Sequence, residues 1–436
     1  MVAAPLLIRG GRIVDPASGV DTIGDLLIDG GRIAGAGDSG ISAPLGAEII
    51  DASGQIVSPG FVDLHTHLRY PGFPEKETIE SGTVAAAAGG FTTVCAMANT
   101  EPVVDSVDVL KDVLDEVRRS ARVRVHQLAA VSHRLQGTQL TDLSALAAAG
   151  AIAFSDDGKP VWDAALMEQA LEWSDTLNRP VSVHEEDPDI VRGGVANAGD
   201  VAHRLGLPPW PCGGEASLVR RDIALLERVG GHLHVAHVSC AETVSLLRAA
   251  RERGLNVTVE ATPHHLRLTD RLLEGDAALE MPSAHPCTKV NPPLRSAGDV
   301  EALVQALAEG VIDAVATDHA PHARADKDRP FVDAAFGFSV IETALPLVLD
   351  LVRDGALTLP AAVERLTAGP ARVFDLEAGT LRIGVPADVC VFDPDAVWDV
   401  TPEALHSRGK NTPLLGSRLM GRVTCTIVGG NIVYQT

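Results

Sequence analysis

The chain has 436 residues, 46% of them hydrophobic and 22% charged, and a formal net charge of −22. That is enough apolar sequence for one large core and a second, smaller domain, while the acidic balance repels phosphate backbones and anionic bilayers, so no nucleic acid and no membrane are expected as partners. Six scattered cysteines with no CxxC pair, no long apolar run between Met1 and Asp15, and no stretch of roughly 18 apolar residues to span a bilayer predict a reducing, cytoplasmic setting.

Three short segments are alike: Ile8-Arg-Gly-Gly-Arg-Ile13, Ile28-Asp-Gly-Gly-Arg-Ile33 and, close to the other end, Ile427-Val-Gly-Gly-Asn-Ile432. Each reads as a β-hairpin, because paired glycines supply the positive φ angles of a two-residue turn and the flanking β-branched residues suit strands. Gly379 to Asp393 reads as further strands and turns. Packing both ends together predicts a small, discontinuous β-sandwich domain formed by residues 1–58 and 377–436.

Between them lie eight apolar, β-rich runs: Phe61 to His67, Phe91 to Ala98, Arg124 to Val131, Ala151 to Asp157, Val181 to Glu186, His232 to Ser239, Val257 to His265 and Ala314 to His319. Most are followed by an alanine- and leucine-rich helical stretch. The fold class is therefore α/β, and eight β/α units over residues 59–376 predict a (β/α)8 TIM-type barrel. A doubly wound open sheet is the alternative, since counting strands does not prove closure.

The chemistry lies at the carboxyl ends of these runs, where barrels keep their active sites. The first ends in His65-Thr-His67, and period-two alternation sends both imidazoles to the same side, a good start for chelation. The fourth ends in Asp156-Asp157, the fifth at His184, the sixth at His237 and the eighth at Asp318. A single strand histidine is more often a satisfied core residue than a ligand, but coincidence across five runs is not. Four imidazoles and two carboxylates suit zinc or a similar ion, and they outnumber what one tetrahedral ion with an open position can use. Two divalent ions sharing a bridging carboxylate and hydroxide is the economical arrangement. His264 and His265 read as structural or ligand-orienting residues, and His232 and His234 as packing residues below the mouth. The polar stretch from Asn291 to Val300 reads as a mobile loop at the mouth.

The motifs, taken together, match one family. Phe61-Val-Asp-Leu-His65-Thr-His67-Leu-Arg69-Tyr-Pro-Gly72, Gly89-Gly-Phe-Thr-Thr-Val94 through Asn99-Thr100, Phe154-Ser-Asp-Asp157-Gly158, Val183-His184-Glu185, Ala236-His237-Val238-Ser239, Asn291-Pro-Pro-Leu-Arg295 and Ala316-Thr-Asp318-His-Ala-Pro-His322 strongly resemble dihydroorotase. The resemblance spans nearly the whole chain, in the same order, and is to the long, bacterial-type class I branch of this amidohydrolase family. It implies that His65, His67, Asp157 and Asp318 bind one ion and Asp157, His184 and His237 the other, most simply zinc. It implies Asp157, rather than a carboxylated Lys159, as the bridge, and leaves Asp156 outside the ligand set.

The activity implied is reversible hydrolysis of dihydroorotate to N-carbamoyl-aspartate in pyrimidine biosynthesis, with Asp318 as general base and acid. Arg69 would grip the substrate carboxylate with Asn99 and His322, and Asn291 and the backbone at Phe336-Gly337 would meet the ring edge, above the ligand His67. Two residues depart from the pattern: Tyr70 stands where an acidic residue is frequent, and Ala98 where a proline often precedes Asn99. The resemblance also raises a homodimer and aspartate carbamoyltransferase as partners. Two other readings stay open: a hydantoinase or allantoinase on the same scaffold, and a catalytically silent scaffold for the transcarbamoylase.

Overall fold

Seven of the eight apolar runs form parallel strands in a computed structural model that describes residues 4–37 and 39–436. Phe61–Thr66, Phe91–Ala96 and Arg124–Gln127 pair side by side in that order. Val181–Val183, Leu233–Val235, Val257–Ala261 and Ala314–Val315 do the same. Their residues are buried almost throughout, as strands covered on both faces require. Helices such as Ile79–Ala88, Ala164–Leu177, Gly213–Val229 and Ala297–Glu309 follow the runs and cover them.

The fourth run is the exception, because Ala151 to Asp157 contributes a single rung instead of a full strand. Phe154 bridges Ala129 on one side and Val181 on the other. Beyond it the chain turns at once, with Gly158 at φ +84, and the Asp156 carboxylate accepts the Ser132 N–H at 2.9 Å. Asp157 is thereby turned out of the ladder and toward the centre. The eighth run is shortened in the same way: it leaves the strand after Val315, and Thr66 then bridges His319.

The chain ends meet in one eight-stranded sheet. Its order is Asn431–Gln435, Arg418–Val428, Val389–Asp399, Ile56–Pro59, Leu6–Asp15, Val20–Asp29 and Arg32–Ala36, with Glu48–Asp51 also paired to Leu6–Asp15. Val389–Asp399 runs antiparallel to Ile56–Pro59, with Val391 opposite Val57, so the join between the two ends is made by backbone pairing. A separate apolar cluster that includes Ile8, Ile13, Leu26, Ile28, Val57, Val389 and Ile427 fills this sheet's buried side. Among the described residues, no helix is long and apolar enough to cross a membrane.

Two of the three Gly-Gly segments are the hairpins that were expected, at Gly30-Gly31 and Gly429-Gly430. The first is not. Gly10 and Gly11 lie inside the continuous strand Leu6–Asp15, where the register against Val20–Asp29 slips between Ile8 and Gly11. A bulge needs the same positive φ as a turn, and Gly10 supplies it at +72°, so local sequence could not separate the two. Gly11 is there for space: a Cβ would fall 2.5 Å from Val57 Cγ2 and 3.0 Å from Ala52 Cβ. Gly11→Ala is therefore expected to destabilise the chain by about 1–3 kcal/mol through overpacking. The thermal unfolding midpoint checks this against Gly213→Ala, where no atom lies within 4 Å of the added carbon.

Candidate active site

The residues singled out at the strand ends converge. Asp157 Oδ1 lies 3.3 Å from His65 Nε2 and 3.5 Å from both His184 Nδ1 and His237 Nε2. Its Oδ2 is 3.5 Å from His67 Nε2. Asp318 Oδ1 stands 3.0 Å from His67 Nε2 and 3.5 Å from His65 Nε2. His65, Asp157 and His237 form one trio able to hold an ion, and His65, His67 and Asp318 another. His65 thus faces both positions, where the resemblance gave it to one.

Three features fit bound cations rather than a self-satisfied polar cluster. His65 Nε2 and Asp157 Oδ1 are buried with no hydrogen-bond partner. His184 Nδ1 and His237 Nε2 face each other at 3.0 Å, so two ring lone pairs point into one space unless one nitrogen carries a proton. Burial alone would raise the Asp157 carboxyl, yet His65, His184 and His237 hold it well below the usual carboxylate range. Asp318 is likewise brought down to about 2, burial being outweighed by His65 and His67. Without an ion, and against burial, the carboxylates also raise His65 and His184; a cation that displaced those ring protons would meet imidazoles around an ionised carboxylate, the donor set that zinc-type ions use.

Supporting contacts orient these candidate ligands. His65 Nδ1 pairs with Glu260 Oε1 at 2.8 Å, and Glu260 Oε2 with His234 Nε2 at 3.1 Å. Glu260 was missed from sequence, although a lone acidic residue in the buried strand Val257–Ala261 was the available signal. His234 is correspondingly more than packing, since it holds that carboxylate from below. Glu186 was missed as well: it lies 3.3 Å from His184 Nε2 and accepts from Asn291 Nδ2 at 3.0 Å. Asp63 accepts the Thr317 N–H at 2.9 Å and so ties the first run to the eighth. Asp156 is engaged with Ser132, and Lys159 is exposed.

All the predicted site residues except His65, which lies wholly buried beneath, line one cavity of about 240 Å³, joined by Gly158 and Ala320. Arg69 reaches the wall from a backbone with φ +58, donating Nε to Pro321 O at 3.1 Å and lying 3.4 Å from His322 Nε2. Burial lowers its guanidinium to about 10, which still leaves it charged near neutrality. Burial, with Arg69 beside it, keeps His322 neutral, with a pKa of about 3, and its Nε2 pairs with Phe336 O at 2.8 Å. Asn99 faces the cavity but is held by His67 and Asp157, with Oδ1 3.0 Å from His67 Nδ1 and Nδ2 3.2 Å from Asp157 O. The stretch after Asn291 is a packed wall rather than a loose loop. Arg295 is only 1% exposed and donates to Ser239 Oγ, Asn197 Oδ1 and Trp210 O.

Known proteins share this chain's sequence and fold. Residues 54–243 match a family model described as Dihydro-orotase-like. The chain is 50% identical over 430 residues to the dihydroorotase of Anaeromyxobacter dehalogenans, covering 99% of this chain and 98% of the relative. It is 45% identical to that of Syntrophus aciditrophicus, covering 99% of each. Among solved structures, it superposes on an L-hydantoinase (dihydropyrimidinase) from Arthrobacter aurescens with a TM-score of 0.87 at 25% identity, covering 99% of this chain and 96% of that one. A dihydropyrimidinase from Brevibacillus agri gives a TM-score of 0.84 at 26% identity, covering 99% and 95%. Fold and site together define a hydrolase of cyclic amides, of the metal-dependent amidohydrolase kind. Within that class the chain belongs to the dihydroorotase family.

The Glu260 contact gives a direct expectation. Glu260→Gln keeps a hydrogen-bonding group but removes the charge behind His65, and metal affinity is expected to fall about ten- to a hundredfold. Metal content after dialysis against a graded chelator series, compared with the native chain, measures this without turnover.

Proposed function

We propose that this chain catalyses the reversible hydrolysis of (S)-dihydroorotate to N-carbamoyl-L-aspartate, a step of pyrimidine synthesis, using two divalent metal ions, most simply zinc. The observation that carries the reading is the meeting of two candidate ligand trios at His65, with Asp157 Oδ2 of one 3.5 Å from His67 Nε2 of the other, at a cavity whose wall holds Arg69. The ligands would be His65, His67, Asp157, His184, His237 and Asp318, with Asp157 shared. Bound there, such ions would supply a water molecule of lowered pKa and a Lewis acid for the ring carbonyl.

The protein's own groups do the rest. Asp318 is ionised and lines the cavity floor, so its carboxylate accepts the proton of the attacking water and returns it to the departing ring nitrogen; in ring closure it takes the proton from the ureido nitrogen. Arg69 offers a planar donor fork to the substrate carboxylate, and neutral His322 and Asn99 flank it. Asn291 and the Phe336-Gly337 backbone meet the ring edge.

The same proposal takes the eight runs to close into a (β/α)8 barrel over residues 59–376, with residues 1–58 and 377–436 as a small sandwich-like β domain, in a cytoplasmic protein. Supporting closure are the bridge from Thr66 to His319 and the two bridges of Phe154, which join the strand groups on both sides. The separate apolar cluster under the terminal sheet supports the division. Six free cysteines fit a reducing compartment.

One observation favours a second reading, a hydantoinase-type amidase: several solved structures it superposes on carry that name. Against it stand the much higher identity to dihydroorotases and the cation in the cavity wall. Turnover of L-dihydroorotate, hydantoin and allantoin, before and after chelation and zinc return, separates the two. Metal-dependent preference for dihydroorotate is expected, and preference for either competitor overturns the assignment. Asp318→Asn is expected to retain metal while kcat falls about a hundred- to ten-thousandfold; near-native turnover would remove Asp318 from the proton-transfer role. Arg69→Met is expected to act on KM for dihydroorotate and to leave the folded, metal-loaded protein otherwise intact, as steady-state kinetics with a metal assay will show.

A further inference from the structure

Two lysines lie buried behind the substrate-facing wall, and neither is explained by the roles above. Lys289 is 2% exposed and Lys327 is 5% exposed. Their partners are backbone carbonyls. Lys289 Nζ donates to Val332 O and Ala334 O, both at 2.8 Å. Lys327 Nζ donates to Ala335 O at 2.6 Å and to Pro286 O and Lys289 O at 3.2 Å. Lys289 Nζ also sits 4.2 Å from the centre of the Phe336 ring. Of the two acidic residues flanking Lys327 in the chain, Asp326 is drawn off by Lys76 at 3.3 Å and His322 at 3.4 Å, and Asp328 by Arg324 at 2.9 Å.

Three of these five bonds fall on one loop, at residues 332, 334 and 335. With Phe336 O held by His322 and Gly337 O by Asn411 Nδ2 at 3.0 Å, the carbonyls of residues 332, 334, 335, 336 and 337 are each taken by a side chain. Gly337 N in turn donates to Lys289 O at 3.0 Å. Phe336 and Gly337 form part of the cavity wall. A buried ammonium without a counterion is costly, and neutral donors would satisfy carbonyls at less expense. The positive charge makes physical sense if an anion arrives on the other side of the wall.

We propose that Lys289 and Lys327 are positioning residues for the reaction: they hold the Phe336-Gly337 rim in its binding geometry and contribute positive potential toward the anionic substrate. The inference rests on reading the cavity as the dihydroorotate site. It also makes the rim sensitive to pH. Burial pushes the Lys327 ammonium down to about 8, and Lys289 beside it acts in the same direction, while Cys287 and Asp326 oppose it. His285, Cys287, Asp328 and Arg329 line with Lys327 a second cavity of about 340 Å³. The Lys327 charge is intact below a pH of about 8 and lost above it, so substrate binding weakens as pH rises through it.

The test is KM and kcat for dihydroorotate from about pH 7 to about pH 9, the range that brackets this titration, in the native chain, Lys327→Arg and Lys327→Met. KM of the native chain is expected to rise across the range, and Lys327→Arg to remain flat. At the low end Lys327→Met is expected to show KM raised about tenfold with kcat within about twofold, the size of a lost charged hydrogen bond. Amide hydrogen exchange across Ala334 to Phe338 in substrate-free protein gives a readout independent of turnover, and faster exchange is expected in Lys327→Met. Lys289→Met, measured the same way, replaces it if that variant does not accumulate. Unchanged KM with unchanged exchange, or a pH-dependent KM that persists in Lys327→Arg, overturns the proposal. Faster exchange in a native background that does not turn over dihydroorotate would keep the clamp and reject the substrate.

Discussion

Everything at this site hangs on one carboxylate among imidazoles. Asp157 has ring nitrogens of His65, His184 and His237 within 3.5 Å of a single oxygen and His67 at 3.5 Å from the other. Histidines alone would repel a cation's worth of protons from one another, and a carboxylate alone would not stay ionised in so dry a place. Together each makes the other's buried state tolerable. The cluster still leaves His65 Nε2 and Asp157 Oδ1 without hydrogen-bond partners, and that deficit is what a cation removes.

The backbone is bent to build this focus. Arg69, His237 and Asp318 have φ of +58, +33 and +48, a region that L side chains seldom occupy. Each follows a buried parallel strand, and each turns its side chain into the cavity at the point where the strand would otherwise continue. Such conformations persist where the surroundings over-determine them. Here the strands are pinned to neighbours on both sides, and Asp63 clips the first run to the eighth through Thr317. The strands thereby supply rigidity, and the turns after them supply direction.

This division also decides what could be read from the sequence. The strand-end residues were legible because metal chemistry demands particular residue types, and alternation along Asp63-Leu-His65-Thr-His67 fixes which of them share a face. Arg69 and Asp318 were legible as chemistry, but their left-handed backbone was not, since nothing local separates an extended residue from one bent by tertiary contacts. Gly10-Gly11 failed for a related reason: a glycine pair states that positive φ is needed, not whether a turn or a bulge uses it. Glu260 and Glu186 escaped because they act through another side chain, and only three-dimensional contact reveals that partnership. The loop from Asn291 was misread because polar residues suggested solvent, whereas Arg295 is buried by donating to three separate acceptors.

Charge distribution joins these observations. A chain with a net charge of −22 must admit an anion to a site that already holds two carboxylates. Long-range repulsion is screened over about 8–10 Å at physiological ionic strength, so the deciding field is local. Bound divalent ions would offset Asp157 and Asp318, leaving Arg69 as the unpaired cation in the wall. Lys289 and Lys327 stand behind the same wall with only carbonyls as partners, and in a low-dielectric surround their charge reaches further than it would at the surface. The acidic chain and a locally cationic wall are then compatible, because they act at different distances.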